Sequence, residues 1–272
     1  MGSGMNRWLK AYIALAALFL LLPMLLVAMV ALSSSQFVIF PPPGFSLNWF
    51  SRVLQDSSFM RPLWNSIQLG LLSTVTAAIL AVPSAIVLVR RRPPGAGVIQ
   101  GFLLSPLALP SLVLAIALLF FLSAIGLGNT YIGLLIGHVV IVLPYLLRTV
   151  LAVYSASDAR IEEAAYTLGA NPWHTFWRIT LPAIRPGLFA GGMFAFLISF
   201  DEVAVALMLS NASNMTLPVS ILGYLVNNYD PAVAAISVIK MIIVVVVLIA
   251  VEKFYGLGSL TLPQRGGTAR HG

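Results

Sequence analysis

The sequence contains no cysteine, and few of its residues carry a charge. The absence of cysteine excludes disulfides, thiolate metal sites and cysteine nucleophiles. Only 8% of the residues are charged, whereas 60% are hydrophobic. A soluble globular domain has roughly 25% charged residues, so this chain has too few of them to cover a soluble surface. The composition therefore indicates an integral membrane protein.

Long apolar runs indicate the same class. Residues 11–32 carry no charge and would form a helix about 33 Å long, which is enough to cross a bilayer. The run is too long for a signal-peptide core and no small-residue cleavage site follows it, so we expect a retained helix. The sequence predicts an all-α polytopic fold with six transmembrane helices, at about 11–32, 66–89, 101–125, 131–153, 188–209 and 232–251.

The distribution of lysine and arginine predicts the orientation. Two basic residues, Arg52 and Arg61, lie in connections on one side, and Lys240 lies inside the last span. All other basic residues lie in the termini, the connections and the adjoining helix ends of the opposite side: Arg7, Lys10, Arg90, Arg91, Arg92, Arg148, Arg160, Arg178, Arg185, Lys253, Arg265 and Arg270. Because positive charge is retained in the cytoplasm, both termini are expected there, in a multi-pass protein of a bacterial inner membrane.

The same pattern divides the chain into segments. Residues 1–10 are predicted to be a cytoplasmic N-terminus that includes expression-tag residues, and residues 11–32 are the first transmembrane helix. A periplasmic segment at 33–62 is expected to contain a short amphipathic helix, which Ser46 caps and whose Trp49, Phe50 and Val53 share one face. The transmembrane core is predicted at 63–255, with a hairpin at 156–187, and a cytoplasmic tail at 256–272. The connection at 210–231 is expected to be polar, and the run Arg90 to Pro94 to be a topology anchor and turn, not a nucleic-acid or lipid site.

The hairpin (residues 156–187) is the densest polar segment of the chain. Asp158 places negative charge at the start of a first short helix, and Gly169 is of the type that ends one. Asn171 and Pro172 are a suitable N-cap and first-turn pair for a second helix, which Pro182 is expected to end. The sequence thus predicts two short helices on the cytoplasmic side.

The surface of these helices would combine small and aromatic side chains. Trp173, Phe176 and Trp177 fall on one side of the second helix, and alanines accompany two adjacent glutamates on the first. One interpretation is an amphipathic pair lying on lipid headgroups, but acidic side chains are poorly placed against an anionic leaflet. The other is a protein-docking surface, in which alanines allow close approach, aromatics fill a cleft and a glutamate pairs with a cation.

The spacing of this segment resembles a known signature. Glu163-Ala164-Ala165, Gly169, Ile179 and Leu181-Pro182 match, position for position, the EAA signature of ATP-binding-cassette importer permeases with the MetI-like fold. The signature lies between the fourth and fifth spans, as it does in that family. With "SFDE" at residues 199–202, the chain is similar to the second permease subunit of spermidine/putrescine-type importers.

The resemblance implies a division of labour between subunits. The hairpin would be a coupling helix seated on an ATPase dimer, with Glu163 as an electrostatic anchor, Ala164 and Ala165 permitting contact, and Gly169 making the turn. A second permease subunit, expected to be a different chain, and a periplasmic or extracytoplasmic solute-binding protein would complete the importer. No G-x-x-x-x-G-K-[ST] motif occurs, so ATP and Mg²⁺ are expected on the partner ATPase. The resemblance implies that this chain is not an enzyme and binds no cofactor or metal itself. Membrane lipid is an expected partner, and nucleic acid is not.

Three charged residues fall deep inside predicted spans, whereas Arg148 lies towards the cytoplasmic end of the fourth. Asp201 and Glu202 lie about 13 residues into the fifth span and Lys240 lies deep in the sixth. Charges facing lipid are costly, so these side chains should face a cavity or one another. They could form an internal ion pair, or one acid could line the substrate path and attract a small cationic solute such as a polyamine.

Other transport functions stay open. His138 with Asp201, Glu202 and Lys240 could serve a proton-coupled secondary transporter, although a membrane histidine can equally be a hydrogen-bonded packing residue. An importer permease of the same kind could also carry another solute, such as an amino acid derivative, an opine, iron or a phosphonate.

Overall fold

The computed structural model describes residues 7–255. The predicted tag residues and cytoplasmic tail at 256–272 therefore lie outside the described residues. The regular structure is helical: α1 (Arg7–Ala31), α2 (Asn48–Gln55), α3 (Ser57–Ile86), α4 (Ala96–Leu104), α5 (Ser111–Ala124), α6 (Tyr131–Ala156), α7 (Ala159–Thr167), α8 (Pro172–Thr175), α9 (Leu181–Asp201), α10 (Ala204–Leu209), α11 (Leu217–Asn227) and α12 (Ala232–Tyr255).

Five stretches of helix are long and apolar enough to cross a membrane, and a bent pair can supply a sixth. They lie at Trp8–Ala31, Ser57–Arg91, Tyr131–Ala156, Pro172–Asp201 and Ala232–Lys253. The predicted polytopic all-α fold is thus confirmed. Trp8–Ala31, Tyr131–Ala156 and Ala232–Lys253 begin and end within three residues of the prediction. Ser57–Arg91 begins nine residues before the predicted start and Pro172–Asp201 sixteen residues before it, because these helices continue beyond the apolar part that the sequence shows.

The predicted third span is bent, not continuous. Ala96–Ala108 and Ser111–Ala124 meet at an angle of 109°. Leu109 has an extended backbone and Pro110 follows it. The residue before a proline is disfavoured in the α conformation, and proline itself donates no hydrogen bond, so the helix stops at this pair.

The predicted fifth span also differs. α9 ends at Asp201, and α10 starts only at Ala204. The Glu202 carboxylate accepts hydrogen bonds from the N–H groups of Ala204 and Val205, at 2.9 and 3.2 Å. The N-cap residue of α10 is Val203, so the Glu202 carboxylate binds the first free N–H groups of α10 from the position before the N-cap. These hydrogen bonds stabilise the break in a stretch that is apolar enough to continue.

By their internal contacts, the described residues fall into two units, 7–63 with 217–243 and 64–216 with 244–255. In the first unit, Trp49 and Val53 of α2 are buried beside Phe59 and Ile236. The helix lies where the sequence predicts one, but its N-cap residue is Leu47 and not Ser46. Ser46 Oγ accepts from the Asn48 N–H at 3.1 Å from the position before the N-cap.

The connection predicted as polar contributes to the same core. It contains α11, whose Leu217 is fully buried with Ala232. The Tyr224 hydroxyl donates to Asp230 at 2.8 Å. Burial and this hydrogen bond raise the pKa of Tyr224 to about 12. The connection is therefore a folded part of this unit.

The second unit is built on close packing of α6 against α9. Gly187 and Gly191 are spaced four residues apart on α9, the spacing that lets membrane helices approach closely. A Cβ atom at Gly191 would overlap the Thr149 hydroxyl and lie 3.1 Å from Leu146 Cα. One at Gly187 would lie 2.9 Å from the Thr149 carbonyl oxygen. This contact fixes the helix from which the hairpin emerges.

Candidate functional site

The first arm of the hairpin is α7, and its ends have clear local causes. The Asp158 carboxylate accepts from the backbone N–H and the side chain of Arg160, at 3.0 Å and 3.0–3.2 Å. These hydrogen bonds lower the pKa of Asp158. At the other end, Gly169 has a φ of +86°, a conformation that glycine adopts without steric cost.

The second arm begins as the sequence predicts. Asn171 Oδ1 accepts from the His174 N–H at 2.7 Å, and Pro172 occupies the first turn of α8. The prediction that Pro182 ends this helix is wrong. A π-helical turn at Phe176–Thr180 follows α8 and leads directly into α9.

The π-helical turn explains how Pro182 is accommodated. The Leu181 N–H donates to the Phe176 carbonyl, five residues back. A proline ring normally clashes with the carbonyl four residues earlier, and the wider turn relieves that clash. The second arm and the long helix α9 are therefore one continuous stretch, Pro172–Asp201.

The outer surface of the hairpin is open and rich in apolar groups. Leu168 is 87% exposed and Trp173 is 70% exposed. Trp173 and Trp177 pack edge to face, with ring centroids 5.5 Å apart, and Phe176 packs against Trp177 at 5.2 Å. These side chains form an aromatic cluster that the described residues leave partly uncovered.

The residues of the predicted signature are spread over this surface and its edge. Glu163, Ala164, Gly169 and Pro182 are exposed. Ala165, Ile179 and Leu181 are half-buried. The structure thus brings the predicted residues together on one hairpin, with Glu163 directed away from the core.

The buried acid of the hairpin is Glu162, which the sequence interpretation missed. Glu162 is only 8% exposed, and Arg90 Nε donates to its Oε2 at 2.9 Å. The Thr180 hydroxyl donates to Oε1 at 2.7 Å. The Tyr154 hydroxyl lies 3.1 and 3.2 Å from the two carboxylate oxygens and donates to them. These hydrogen bonds to Glu162 form the Glu162 network.

Arg90 is held on three sides in this network. Its guanidinium donates to Ser157 Oγ at 2.8 Å and lies 4.2 Å from the centroid of the Tyr154 ring. Charge-assisted hydrogen bonds of this kind are stronger than neutral ones. The Glu162 network joins the π-helical turn Val87–Arg91 that continues α3, the helices α6 and α7, and the turn before α9. These contacts hold the hairpin against the ends of three long helices.

A sequence signal for Glu162 did exist. Adjacent residues on a helix point about 100° apart, so Glu162 and Glu163 cannot both face solvent equally on a helix that packs on one side. The partner Arg90 lies 72 residues away, in the run that the sequence predicts to be a topology anchor. Only the tertiary contact shows which acid faces inward.

Asp201, Glu202 and Lys240 occupy different local environments. Asp201 is the last residue of α9 and is exposed, the Glu202 carboxylate accepts from two N–H groups of α10, and Lys240 is half-buried in α12. The internal ion pair and the contact with substrate both stay predictions.

His138 lies in a hydrogen-bonded contact between helices. Its ring is fully buried, and Nδ1 lies 2.8 Å from Ser199 Oγ. The Ser73 hydroxyl donates to Ser199 Oγ at 3.0 Å. The contact therefore links α3, α6 and α9, as expected of a packing histidine.

The region that contains the hairpin matches a known protein family. Residues 73–255, which include the whole hairpin, match the family described as binding-protein-dependent transport system inner membrane component. This range is well over half of the chain. The match favours a permease over a proton-coupled carrier that uses His138.

Two relatives and one solved structure agree with the match. The spermidine/putrescine transport system permease protein PotC of Haemophilus influenzae is 30% identical over 200 residues, 74% of this chain and 78% of that protein. The putrescine transport system permease protein PotI of Escherichia coli K12 is 29% identical over 239 residues, covering 85% of each. A crystal structure of a bacterial ABC transporter that imports the acidic polysaccharide alginate has a chain with the same fold, at a TM-score of 0.72 and 23% identity, covering 90% of this chain and 94% of that one. The chain therefore belongs to the family of binding-protein-dependent transport system inner membrane components.

Proposed function

We propose that this chain is a permease subunit of an ATP-driven importer and that its hairpin docks on the ATPase that powers transport. The observation that carries the proposal is the two-sided hairpin: an open aromatic surface on the outside and the Glu162 network on the inside. Exposed apolar clusters of this kind suit a protein partner. A fastened inner side suits a part that must transmit force to the helices.

ATP hydrolysis is assigned to the partner. The chain contains no phosphate-binding loop motif, so ATP and Mg²⁺ would be bound by an ATPase dimer on which the hairpin sits. A second permease chain would form the other half of the path, and a solute-binding protein would deliver the substrate. The excess of basic residues in one set of connections supports placing the hairpin and both termini in the cytoplasm.

The proposed substrate class is a small cationic solute such as a polyamine. Two relatives that cover most of the chain are named as spermidine/putrescine and putrescine permeases. The acids Asp201 and Glu202 at the α9–α10 break would supply attraction for a cation. The alginate importer has the same fold, so the fold alone does not favour a cation.

The test of coupling is ATP-dependent uptake in proteoliposomes that contain the chain with its partner subunits. Glu163→Ala and Gly169→Asp should each reduce uptake and substrate-stimulated ATP hydrolysis about tenfold or more, the loss expected when a charged contact at an interface is removed. The protein should still assemble in the membrane, because both positions are exposed and a Cβ at Gly169 meets nothing within 4 Å.

Matched controls separate coupling from strain. Gly95 has a φ of +78° and equally open surroundings, so Gly95→Asp imposes a similar backbone strain away from the hairpin. Glu252→Ala removes an exposed acid from α12. Both controls should transport normally. Uptake that continues without ATP but stops with an uncoupler would refute the importer proposal.

The substrate proposal has a separate test. Asp201→Asn and Glu202→Gln remove one charge each, and the Glu202→Gln amide oxygen keeps an acceptor for the α10 N–H groups. Uptake of labelled spermidine should fall more than uptake of a neutral solute. An equal loss for both solutes would assign the acids a structural role and leave the coupling proposal unaffected.

A further inference from the structure

A basic cavity of about 400 Å³ lies beside the Glu162 network. The π-helical turn Val87–Arg91, which follows α3, contributes Arg90, and Arg92 comes directly after it. α4 contributes Gln100, and α6 contributes Arg148 and Ser155. Apolar side chains of the same turn and of α6 complete the wall. None of the described residues that line it is acidic.

The positive charges of this cavity are only partly compensated. Arg90 is paired with Glu162. Arg92 Nε donates to the Val89 carbonyl at 3.3 Å, which supplies no negative charge. Among residues 7–255, Arg148 has neither a hydrogen-bond nor an ion-pair partner. Two guanidinium groups therefore face the cavity without an anion.

The position of Arg148 along α6 indicates the kind of anion. It lies inside the apolar stretch Tyr131–Ala156, eight residues or about 12 Å before the end of that helix. A charge at such a position is costly unless it reaches the polar headgroup region or pairs with an anion. Ser155 lies two turns further along the same face, so its hydroxyl and the guanidinium are directed to the same cavity.

We propose that this cavity binds a phosphate-bearing anion, supplied by the headgroup of an anionic phospholipid. The guanidinium groups of Arg92 and Arg148 hold the phosphate, since arginine binds phosphate in a bidentate manner. The Gln100 amide and the Ser155 hydroxyl provide further donors. Basic pockets between transmembrane helices bind anionic headgroups for the same reason. Arg92 thus has a role beyond the topology anchor that the sequence predicts.

The test uses the full chain purified in a non-ionic detergent, with bound lipid counted by native mass spectrometry. Dioleoylphosphatidylglycerol should bind in preference to dioleoylphosphatidylcholine. Arg92→Gln with Arg148→Gln should raise the Kd for phosphatidylglycerol about tenfold or more, as expected for the loss of charge-assisted hydrogen bonds. Arg91→Gln is the matched control, because Arg91 is adjacent and exposed but does not line the cavity.

Inorganic phosphate, added in place of lipid, distinguishes the source of the anion. One outcome would be that inorganic phosphate binds to the unchanged protein but not to the double variant, while the unchanged protein shows no preference for phosphatidylglycerol over phosphatidylcholine. The cavity would then bind a soluble phosphate, which contradicts the lipid source. The proposed site would be wrong if the double variant and the unchanged protein bound both lipids equally well. It would also be wrong if Arg91→Gln lost as much affinity for phosphatidylglycerol as the double variant. Both substituted side chains are exposed, so the folded yield should match that of the unchanged protein.

Discussion

At the scale of single residues, two adjacent glutamates of the hairpin lie in opposite environments. Glu162 accepts hydrogen bonds from Arg90, Tyr154 and Thr180, whereas Glu163 is exposed. An ion pair that is largely removed from water is costly to break, because the remaining charge has no partner. We therefore expect Glu162 to act through stability and Glu163 through the partner.

Glu162→Ala should destabilise the protein by about 3 kcal/mol, at the lower end for a buried pair. Arg90 would lose its counter-charge, and two hydroxyl groups would lose their acceptor. Thermal unfolding of the detergent-purified chain, followed by size-exclusion chromatography, measures the loss. Glu163→Ala should unfold at the same temperature as the unchanged protein. Equal midpoints for both variants would contradict the assignment of Glu162 as the fastening residue.

At the scale of helices, the contact between α6 and α9 decides where the hairpin is held. Gly191 meets Thr149 and Leu146, whereas the neighbouring Gly192 meets only the Thr74 methyl group, at 3.6 Å. Membrane helices that pack through small residues tolerate no added volume at the contact. The two glycines therefore have different roles, although they are adjacent in sequence.

Gly191→Ala should destabilise the chain by about 1–3 kcal/mol, because the new methyl group overlaps Thr149 and the backbone of α6 cannot move freely. Gly192→Ala should be neutral or slightly stabilising, since the methyl group makes an ordinary contact and alanine favours a helix by about 1 kcal/mol over glycine. Unfolding midpoints of the two variants provide the measurement. A destabilising Gly192→Ala of the same size would show that the effect is not specific to the helix contact.

Helix boundaries were predicted unequally well. The apolar runs located all of the long helices, because the residues that contact lipid are uniformly apolar. They did not locate the bend at Leu109 and Pro110, or the end of α9 at Asp201, because two short helices separated by a break have the same composition as one long helix. At Pro182 the sequence predicts a helix end that does not exist, since a π-helical turn compensates for a proline that would otherwise end a helix.

At the scale of the whole molecule, the proposed orientation can be tested directly because the chain contains no cysteine. Leu168→Cys places a thiol on the exposed hairpin, and Leu47→Cys places one at an exposed position before α2. A membrane-impermeant maleimide should label Leu47→Cys in intact spheroplasts and Leu168→Cys only in inside-out vesicles. The reverse pattern would refute the cytoplasmic placement of the hairpin. The cysteine-free parent is the control for background labelling.

The sequence by itself determined the class and the family of this protein. The scarcity of charge leaves no alternative to a membrane environment, and the spacing from Glu163 to Pro182 is local, so it can be read without a structure. Only the tertiary structure decided which glutamate is buried, that Arg90 is its partner, and that Arg92 and Arg148 line one basic cavity. The physical reason is distance along the chain. Arg90 and Glu162 are separated by 72 residues, and their contact exists only because α3, α6 and α9 pack together.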